Sequence, residues 1–371
     1  MNRELLKQID GFIGRILVSL APSPPPPKEP VGYPHSILLI RPGGIGDAVL
    51  LAPTTFQLKH SHPDATITVL AEQRNAGVFA LIPDVDRVYC YDRPSEFLAV
   101  VCNSYDVVID TEQWHRLSAV VARLVRSPIK IGFATNERRQ MFTHGIAYSH
   151  DDYETESFLR LVSTLCIETT TTTDLAAPFL TIPEQVKSRA HNLLETLQSK
   201  SYLVIFPGAS IAERRWGAER FREVAILLAN TGLPIVVVGG SVDQQDAAII
   251  TENLGVNLAG KTSLAETAAV IAGAALFIGA DSGLLHIAVG LDILTVSLFG
   301  PGIAAKWAPR GDKHRVINHE LPCSPCTRFG TTPPCPFHVR CMREITPVEV
   351  FDAAMQLLSA TNPCRQKNLA G

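Results

Sequence analysis

The chain reads as an α/β protein of two similar domains, each a parallel sheet covered by helices. Three observations lead there. Residues 36–47, Ser-Ile-Leu-Leu-Ile-Arg-Pro-Gly-Gly-Ile-Gly-Asp, and residues 202–210, Tyr-Leu-Val-Ile-Phe-Pro-Gly-Ala-Ser, are built alike. Each is an apolar run of strand length, then Pro-Gly, a small-residue loop and a helical pattern. Strand-like and helix-like stretches alternate through both halves, as parallel sheets with helical crossovers require. The length of 371 residues, 46% of them apolar, fits two domains with material for two cores. Two such domains are expected to face each other across a cleft.

Residues 1–32 stand apart. Leu5, Ile9, Phe12, Ile13, Ile16 and Leu20 recur at helical spacing, with Arg3, Lys7 and Arg15 among the other positions. Asp10 and Arg15 interrupt the apolar stretch, which argues against a secretory signal. Two readings remain open: a helix packed on the body of the protein, or an interfacial helix on an anionic membrane surface. Pro24–Pro27 follow as a stiff spacer.

The first domain, 33–175, opens with a strand over 36–41 and a helix from Asp47 to about Lys59. Strands at Thr66–Ala71, Val107–Asp110 and Lys130–Phe133 follow, with helices at Leu117–Val125 and Glu154–Cys166. Asp84-Val85-Asp86 resembles the acid pair of metal-dependent sugar transferases, but it follows Pro83 and reads as a loop. The polar run Thr169–Thr173 places the junction between there and Pro183. The second domain, 184–345, has strands at Leu203–Phe206, Pro234–Gly239, Leu276–Gly279 and Thr295–Phe299. Its helices lie at Glu184–Leu197, Ala218–Asn230, Gln244–Leu254, Leu264–Ala272 and Gly283–Val289. A closing helix, Val348–Leu358, lies in 346–371.

A net charge of −3 gives no global signature of nucleic-acid binding. No uninterrupted apolar run reaches the length of a membrane span. Without a signal peptide, the eight cysteines are expected as reduced thiols in a cytoplasmic protein.

Three constellations carry chemistry. In Gly43-Gly44-Ile45-Gly46-Asp47, glycines after a strand let the backbone approach a ligand. Asp47 is then either an ionised base or a helix cap. The dinucleotide fingerprint is a weak rival, because Val49 stands where its third glycine belongs, although Glu72 is placed for a ribose. In Pro207-Gly208-Ala209-Ser210, followed by Arg214, Arg215 and Trp216, a hydroxyl and two guanidiniums suit a diphosphate; the alternative is a solvated helix start. In Gly279-Ala280-Asp281-Ser282-Gly283-Leu284-Leu285-His286, a strand ends in an acid and a helix begins at Ser-Gly, with His286 one turn in. A capped helix with a buried histidine is the plainer reading. Cys323, Cys326, Cys335 and Cys341 have the spacing Cys-x2-Cys-x8-Cys-x5-Cys, open to a structural zinc site or to loop-packing thiols.

Taken in order, these motifs, together with Leu258–Leu264 and Phe299-Gly300-Pro301, resemble glycosyltransferase family 9, the lipopolysaccharide heptosyltransferases. The resemblance spans residues 36–358 and includes Cys323-Ser324-Pro325-Cys326 and Cys341-Met342. It implies a GT-B fold of two Rossmann-like domains, and inverting transfer without an obligatory metal or cofactor. It implies a nucleotide-sugar donor, ADP-L-glycero-β-D-manno-heptose, and a phosphorylated glycolipid acceptor at the inner face of the cytoplasmic membrane. By the same resemblance Asp47 is the general base, and Ser210 and Arg214 contact the diphosphate. Thr262 falls on a nucleotide contact, Asp281, Ser282, Gly283 and His286 on the donor loop, and Asp243 and Gln244 beside the ribose. Arginines 74, 116, 123, 126, 138 and 139 give the first domain a basic tally suited to a phosphorylated glycolipid; the plainer reading is that most are merely solvated. Two departures stand out: Arg214 replaces the family's usual lysine, and Gly302-Ile303-Ala304 replaces its usual continuation after Gly300-Pro301. A protein-directed heptosyltransferase and a sugar-nucleotide epimerase on the same fold remain as alternatives.

Overall fold

The computed structural model describes residues 9–22, 33–166, 178–195, 197 and 201–361. The chain forms two compact units that divide between Phe179 and Leu180. Pro24–Pro27, Thr169–Thr173 and the residues of the N-terminal pattern before Ile9 lie outside the described residues.

The first unit holds a six-stranded parallel sheet in the order β3-β2-β1-β4-β5-β6. Its strands are β1 (Ser36–Arg41), β2 (Thr66–Ala71), β3 (Arg87–Cys90), β4 (Val107–Asp110), β5 (Ile129–Phe133) and β6 (His144–Ile146). The central strands are buried along their length, as expected for a sheet covered on both faces. The second unit repeats the plan in the order β12-β11-β10-β7-β8-β9. Its strands are β7 (Tyr202–Phe206), β8 (Ile235–Val237), β9 (Gly255–Asn257), β10 (Ala274–Ala280), β11 (Thr295–Phe299) and β12 (His314–Asn318). One of its cores joins Leu203, Phe221, Ile235, Ile278 and Leu298 to Val350, Ala354 and Leu357 of the closing helix, Pro347–Thr361.

Four strands escape the sequence reading: β3, β6, β9 and β12. They are the four sheet edges. An edge strand is half covered, so its residues need not form an apolar run; β12 is nowhere fully buried, and β6 and β9 are three residues each with a glycine. The helix read from Asp47 to Lys59 is two helices, Ile45–Leu50 and Ala52–Ser61. Pro53 sits in the first turn of the second and has no N–H to extend the first. Asp84-Val85-Asp86 is a loop: the Asp86 carboxylate accepts from the Ile67 N–H at 2.7 Å and pairs with Lys59 at 2.9 Å.

The N-terminal segment packs on the first unit, but with the face opposite to its apolar stripe. A π-helical turn, Asp10–Gly14, leads into the helix Arg15–Leu20. Asp10, Gly14 and Val18 are buried. The Asp10 carboxylate accepts from the N–H groups of Arg116 and Leu117, both at 2.8 Å, and so caps the helix Arg116–Leu124. Phe12, Ile13, Ile16, Leu17 and Leu20 stay exposed, Phe12 by 71% and Leu20 by 78%.

Candidate active site

In open parallel sheets, ligands bind beyond the carboxyl ends of the strands where the strand order reverses. The first unit reverses between β1 and β4, the second between β7 and β10. Asp47 follows β1; Ser210 and Arg214 follow β7; Asp281, Ser282 and Gly283 follow β10. The sequence motifs therefore stand at the two positions that the topology favours.

At the first position, β1 ends in Arg41, whose side chain is buried although the strand is otherwise apolar. Its guanidinium donates to the Pro42 carbonyl at 2.6 Å and the Thr111 carbonyl at 2.8 Å, and lies 3.3 Å from Glu112 Oε2. The same Nη2 stands 3.9 Å from Asp47 Oδ2. Burial opposes the guanidinium charge, but Asp47, Glu112, Glu154 and Asp110 hold its pKa above the ordinary arginine value. Gly43 crosses this junction at φ +104°, a conformation that side chains rarely adopt. Gly44 precedes the helix that carries Gly46 and Asp47 in its first turn. Glu112, after β4, is fixed by the N–H groups of Gln113 and Trp114 at 3.0 and 3.1 Å. Burial disfavours its charge; Arg41, His115 and Arg138 more than compensate, leaving the carboxyl below its usual range. Behind it, Asp110 and Arg138 form a fully buried ion pair at 2.5 Å. Tyr148 donates to Glu154 at 3.1 Å, and burial with the nearby carboxylates of Glu154 and Asp47 raises the phenol's pKa strongly.

The sequence reading quoted Arg41 but assigned it nothing, and passed over Glu112, Tyr148 and Glu154. A lone arginine ending an apolar strand was the available signal. Of the arginines tallied for the acceptor, Arg138 is sealed against Asp110, Arg116 pairs with Glu137 at 2.6 Å, and Arg74 pairs with Glu72. Arg126 and Arg139 remain exposed.

At the second position the layering is reversed. Asp281 is buried and pairs at 2.8 Å with Arg214, which is more exposed. Arg214 Nε is buried without a hydrogen-bond partner among the described residues. A Cβ at Gly302 would come within 2.3 Å of Asp281 Oδ2, so the departure at Gly302 leaves room for this carboxylate. Arg215 bridges Asp243 at 3.0 Å and Asp246 at 3.4 Å. Asp243 is buried and its other oxygen accepts from the Gly240 N–H at 2.9 Å, so both its oxygens are engaged. The exposed Gln244 packs its amide against Gly260, where a Cβ would come within 2.6 Å of it. Thr262 shares a hydroxyl hydrogen bond with Thr267 at 2.8 Å, and Ser210 is exposed. Ser282 caps the helix Gly283–Gly290 by accepting from Leu285 N–H at 3.4 Å, and His286 is buried within that helix.

The cysteines do not assemble a metal centre. Among the described residues, no group of three or more His, Cys, Asp or Glu side chains could hold a metal ion. Cys323, Cys326, Cys335 and Cys341 are free thiols; Cys323 is exposed, and Cys335 Sγ accepts from the Val339 N–H at 3.3 Å. The segment instead straps the loop after β11: the N–H groups of Cys326 and Thr327 donate to the Pro301 carbonyl at 3.0 and 2.8 Å. Cys341 packs so closely that a Cβ on Gly300 would lie 3.0 Å from its sulfur. No ligand set for the zinc entertained above is present here.

Comparison with known proteins agrees with this anatomy. Residues 97–335 match the family model of glycosyltransferase family 9 (heptosyltransferase). Lipopolysaccharide heptosyltransferase 3 of Escherichia coli is 28% identical over 290 residues, covering 71% of this chain and 83% of that one. Lipooligosaccharide heptosyltransferase 2 of Campylobacter jejuni is 23% identical over 335 residues, 87% of this chain and 98% of that one. Among solved structures, a family 9 glycosyltransferase from Veillonella parvula superposes with a TM-score of 0.74 at 20% identity, over 89% of this chain and 99% of that one. The E. coli ADP-heptose lipopolysaccharide heptosyltransferase II gives 0.71 at 24% identity, over 88% and 99%. These likenesses establish the GT-B fold, and by its match to the family model the chain belongs to glycosyltransferase family 9.

Proposed function

We propose that this glycosyltransferase moves a heptose from an ADP-activated donor, ADP-L-glycero-β-D-manno-heptose, to a hydroxyl of a lipopolysaccharide core, inverting the anomeric centre. The family match favours transfer over the epimerase alternative. One observation carries the assignment of roles: the first switch point turns an acid outward over a buried guanidinium, and the second turns guanidiniums outward over buried acids. The first suits taking a proton; the second suits holding a diphosphate.

In this mechanism Asp47 accepts the proton of the attacking hydroxyl. A carboxylate suffices because that hydroxyl becomes acidic only as its bond to the anomeric carbon forms. Arg214 stabilises the charge that grows on the departing diphosphate. Ser210, Arg215, the N–H groups of Ser282 and Gly283, Thr262, Gln244 and His286 complete the donor contacts, with Gly43, Gly44 and Gly46 giving substrate access to Asp47. Asp243 acts by orienting Arg215, since its oxygens are committed. The proposed mechanism assigns the charge of the leaving diphosphate to these residues and calls on no further cofactor.

The acceptor reading is a phosphorylated glycolipid bound by the first unit at the inner face of the cytoplasmic membrane. The outward stripe Phe12, Ile13, Ile16, Leu17 and Leu20, beside the exposed Arg15, supports seating on anionic lipid. Among the described residues no helix is long and apolar enough to cross a membrane. Co-sedimentation with phosphatidylglycerol vesicles tests this: Phe12→Ser with Leu20→Ser should release the protein, and unchanged binding would refute it.

The test of the central assignment is Asp47→Ala. Donor binding, read by calorimetry with ADP, should persist while transfer falls by about 10²–10⁴-fold, the range for a lost general base. Near-normal turnover would remove Asp47 from the role.

A further inference from the structure

We infer that Arg41 is a positioning residue for transfer: its buried guanidinium, anchored through Glu112, holds the Asp47 carboxylate aimed outward. The inference rests on Asp47 being the base.

A buried guanidinium is costly unless its donors are engaged, so its retention at the end of an apolar strand needs a reason. Arg41 is anchored on three sides. Nε meets the Pro42 carbonyl, Nη1 the Thr111 carbonyl and Nη2 the Glu112 carboxylate. The Phe158 ring lies 5.6 Å from the guanidinium carbon. Glu112 is in turn locked by the N–H groups of its own loop. The plane of the fork is therefore fixed by β1 and by the loop after β4, the two strands that define the switch point. Only then does Nη2 face Asp47, at 3.9 Å. That separation is too long for a hydrogen bond but well within charge–charge range. The carboxylate is steadied, yet its oxygens remain free for a substrate proton.

Arg41 faces Asp47 amid further charged groups. The acids Glu112, Glu154 and Asp110 and the phenol of Tyr148 all act on Arg41 or share Asp47 as a neighbour, and Arg138 is spent on Asp110. Besides Asp47, the helix Ile45–Leu50 carries no charged residue.

The sign of each perturbation follows. Removing a cation raises the pKa of a neighbouring carboxylate, and the acid limb of the kcat profile moves to higher pH. Removing an anion moves it lower. Glu112→Gln should thus shift the acid limb of kcat to lower pH. Adding Arg41→Gln to Glu112→Gln removes both buried charges together, and should return the limb above that of the single variant with at least a tenfold lower kcat. Arg41→Lys retains charge without the fork, and should lower kcat severalfold. In all three, affinity for ADP should stay within twofold. Transfer is read from ADP-heptose to lipopolysaccharide stripped of its core heptose, across pH 5 to 8.

A merely structural role would reduce activity without moving the limb, so an unmoved limb in Glu112→Gln, or a double variant whose limb does not rise above that of Glu112→Gln, overturns the inference. Should the double variant fail to fold, as judged by near-ultraviolet circular dichroism, Arg41→Lys decides: wild-type kcat at unchanged ADP affinity overturns the inference. Asp47→Asn separates the two levels. If it turns over normally, the base assignment fails and Arg41 falls with it. If it is inactive while the limbs stay put, only the role of Arg41 is lost.

Discussion

The two units share a strand order and differ in which charge they hide. At the first switch point Arg41 is sealed at 1% side-chain exposure and Asp47 looks out at 28%. At the second, Asp281 and Asp243 are sealed at 6% and 5%, while Arg214 and Arg215 look out at 14% and 32%. Duplicated architecture has thus been fitted with opposite electrostatic layers. In the proposed reading the buried member of each pair orients the outer one. On the proposed roles, this division lets one fold supply both a proton acceptor and a diphosphate clamp. It also warns that charges counted from sequence say little until their depth is known, as Arg138 illustrates.

The sharpest way to break the comparison is to remove the outer member on each side. Asp47→Asn should act on kcat alone, by about 10²–10⁴-fold. Arg214→Ala should weaken ADP binding and lower kcat as well, by about 10²-fold or more, because its interaction strengthens as charge grows on the leaving group. Isothermal titration with ADP beside steady-state transfer separates them. Equal effects on ADP binding from both variants would end the assignment of separate roles.

A smaller change sharpens the same contrast. A Cβ at position 302 would sit 2.3 Å from Asp281 Oδ2, so Gly302→Ala must push that carboxylate away from Arg214. Affinity for ADP should change severalfold while the pH limb set by Asp47 stays still. A moved limb with unaltered ADP affinity would show that the inner acid of the second site is not what orients Arg214.

Much of this was legible in the chain. The central strands announce themselves because burial on both faces demands continuous apolar runs, and the Pro-Gly loops after β1 and β7 mark where the backbone opens to ligand. The edge strands were invisible because half-covered residues can be polar, as His314 and Arg315 are in β12. The inner charges were hidden for a different reason. Arg41 and Glu112 are 71 residues apart and meet only because β1 lies beside β4, a pairing that no local pattern encodes. Asp10 escaped likewise: read as an interruption of an apolar stretch, it is the cap of a helix over a hundred residues away.

The least effect expected distinguishes the acid responses of the two units. His314 opens edge strand β12, its Nδ1 2.9 Å from Thr295 Oγ1, and burial pushes its pKa down to about 4. An unfolded histidine titrates near 6.5, so as pH falls below that value the unfolded chain takes up the proton first. The second unit should therefore be fully stable above pH 6.5 and lose stability progressively toward pH 4, by about 1–3 kcal/mol given the partial exposure of the ring. In the first unit the depressed Glu112 works in a lower window, its contribution present above about 4.5 and lost only below that. Between pH 6.5 and 5 the second unit should weaken while the first holds, and His314→Asn should flatten that slope in denaturant titrations followed unit by unit by hydrogen exchange. A slope that survives the substitution would move the acid sensitivity elsewhere.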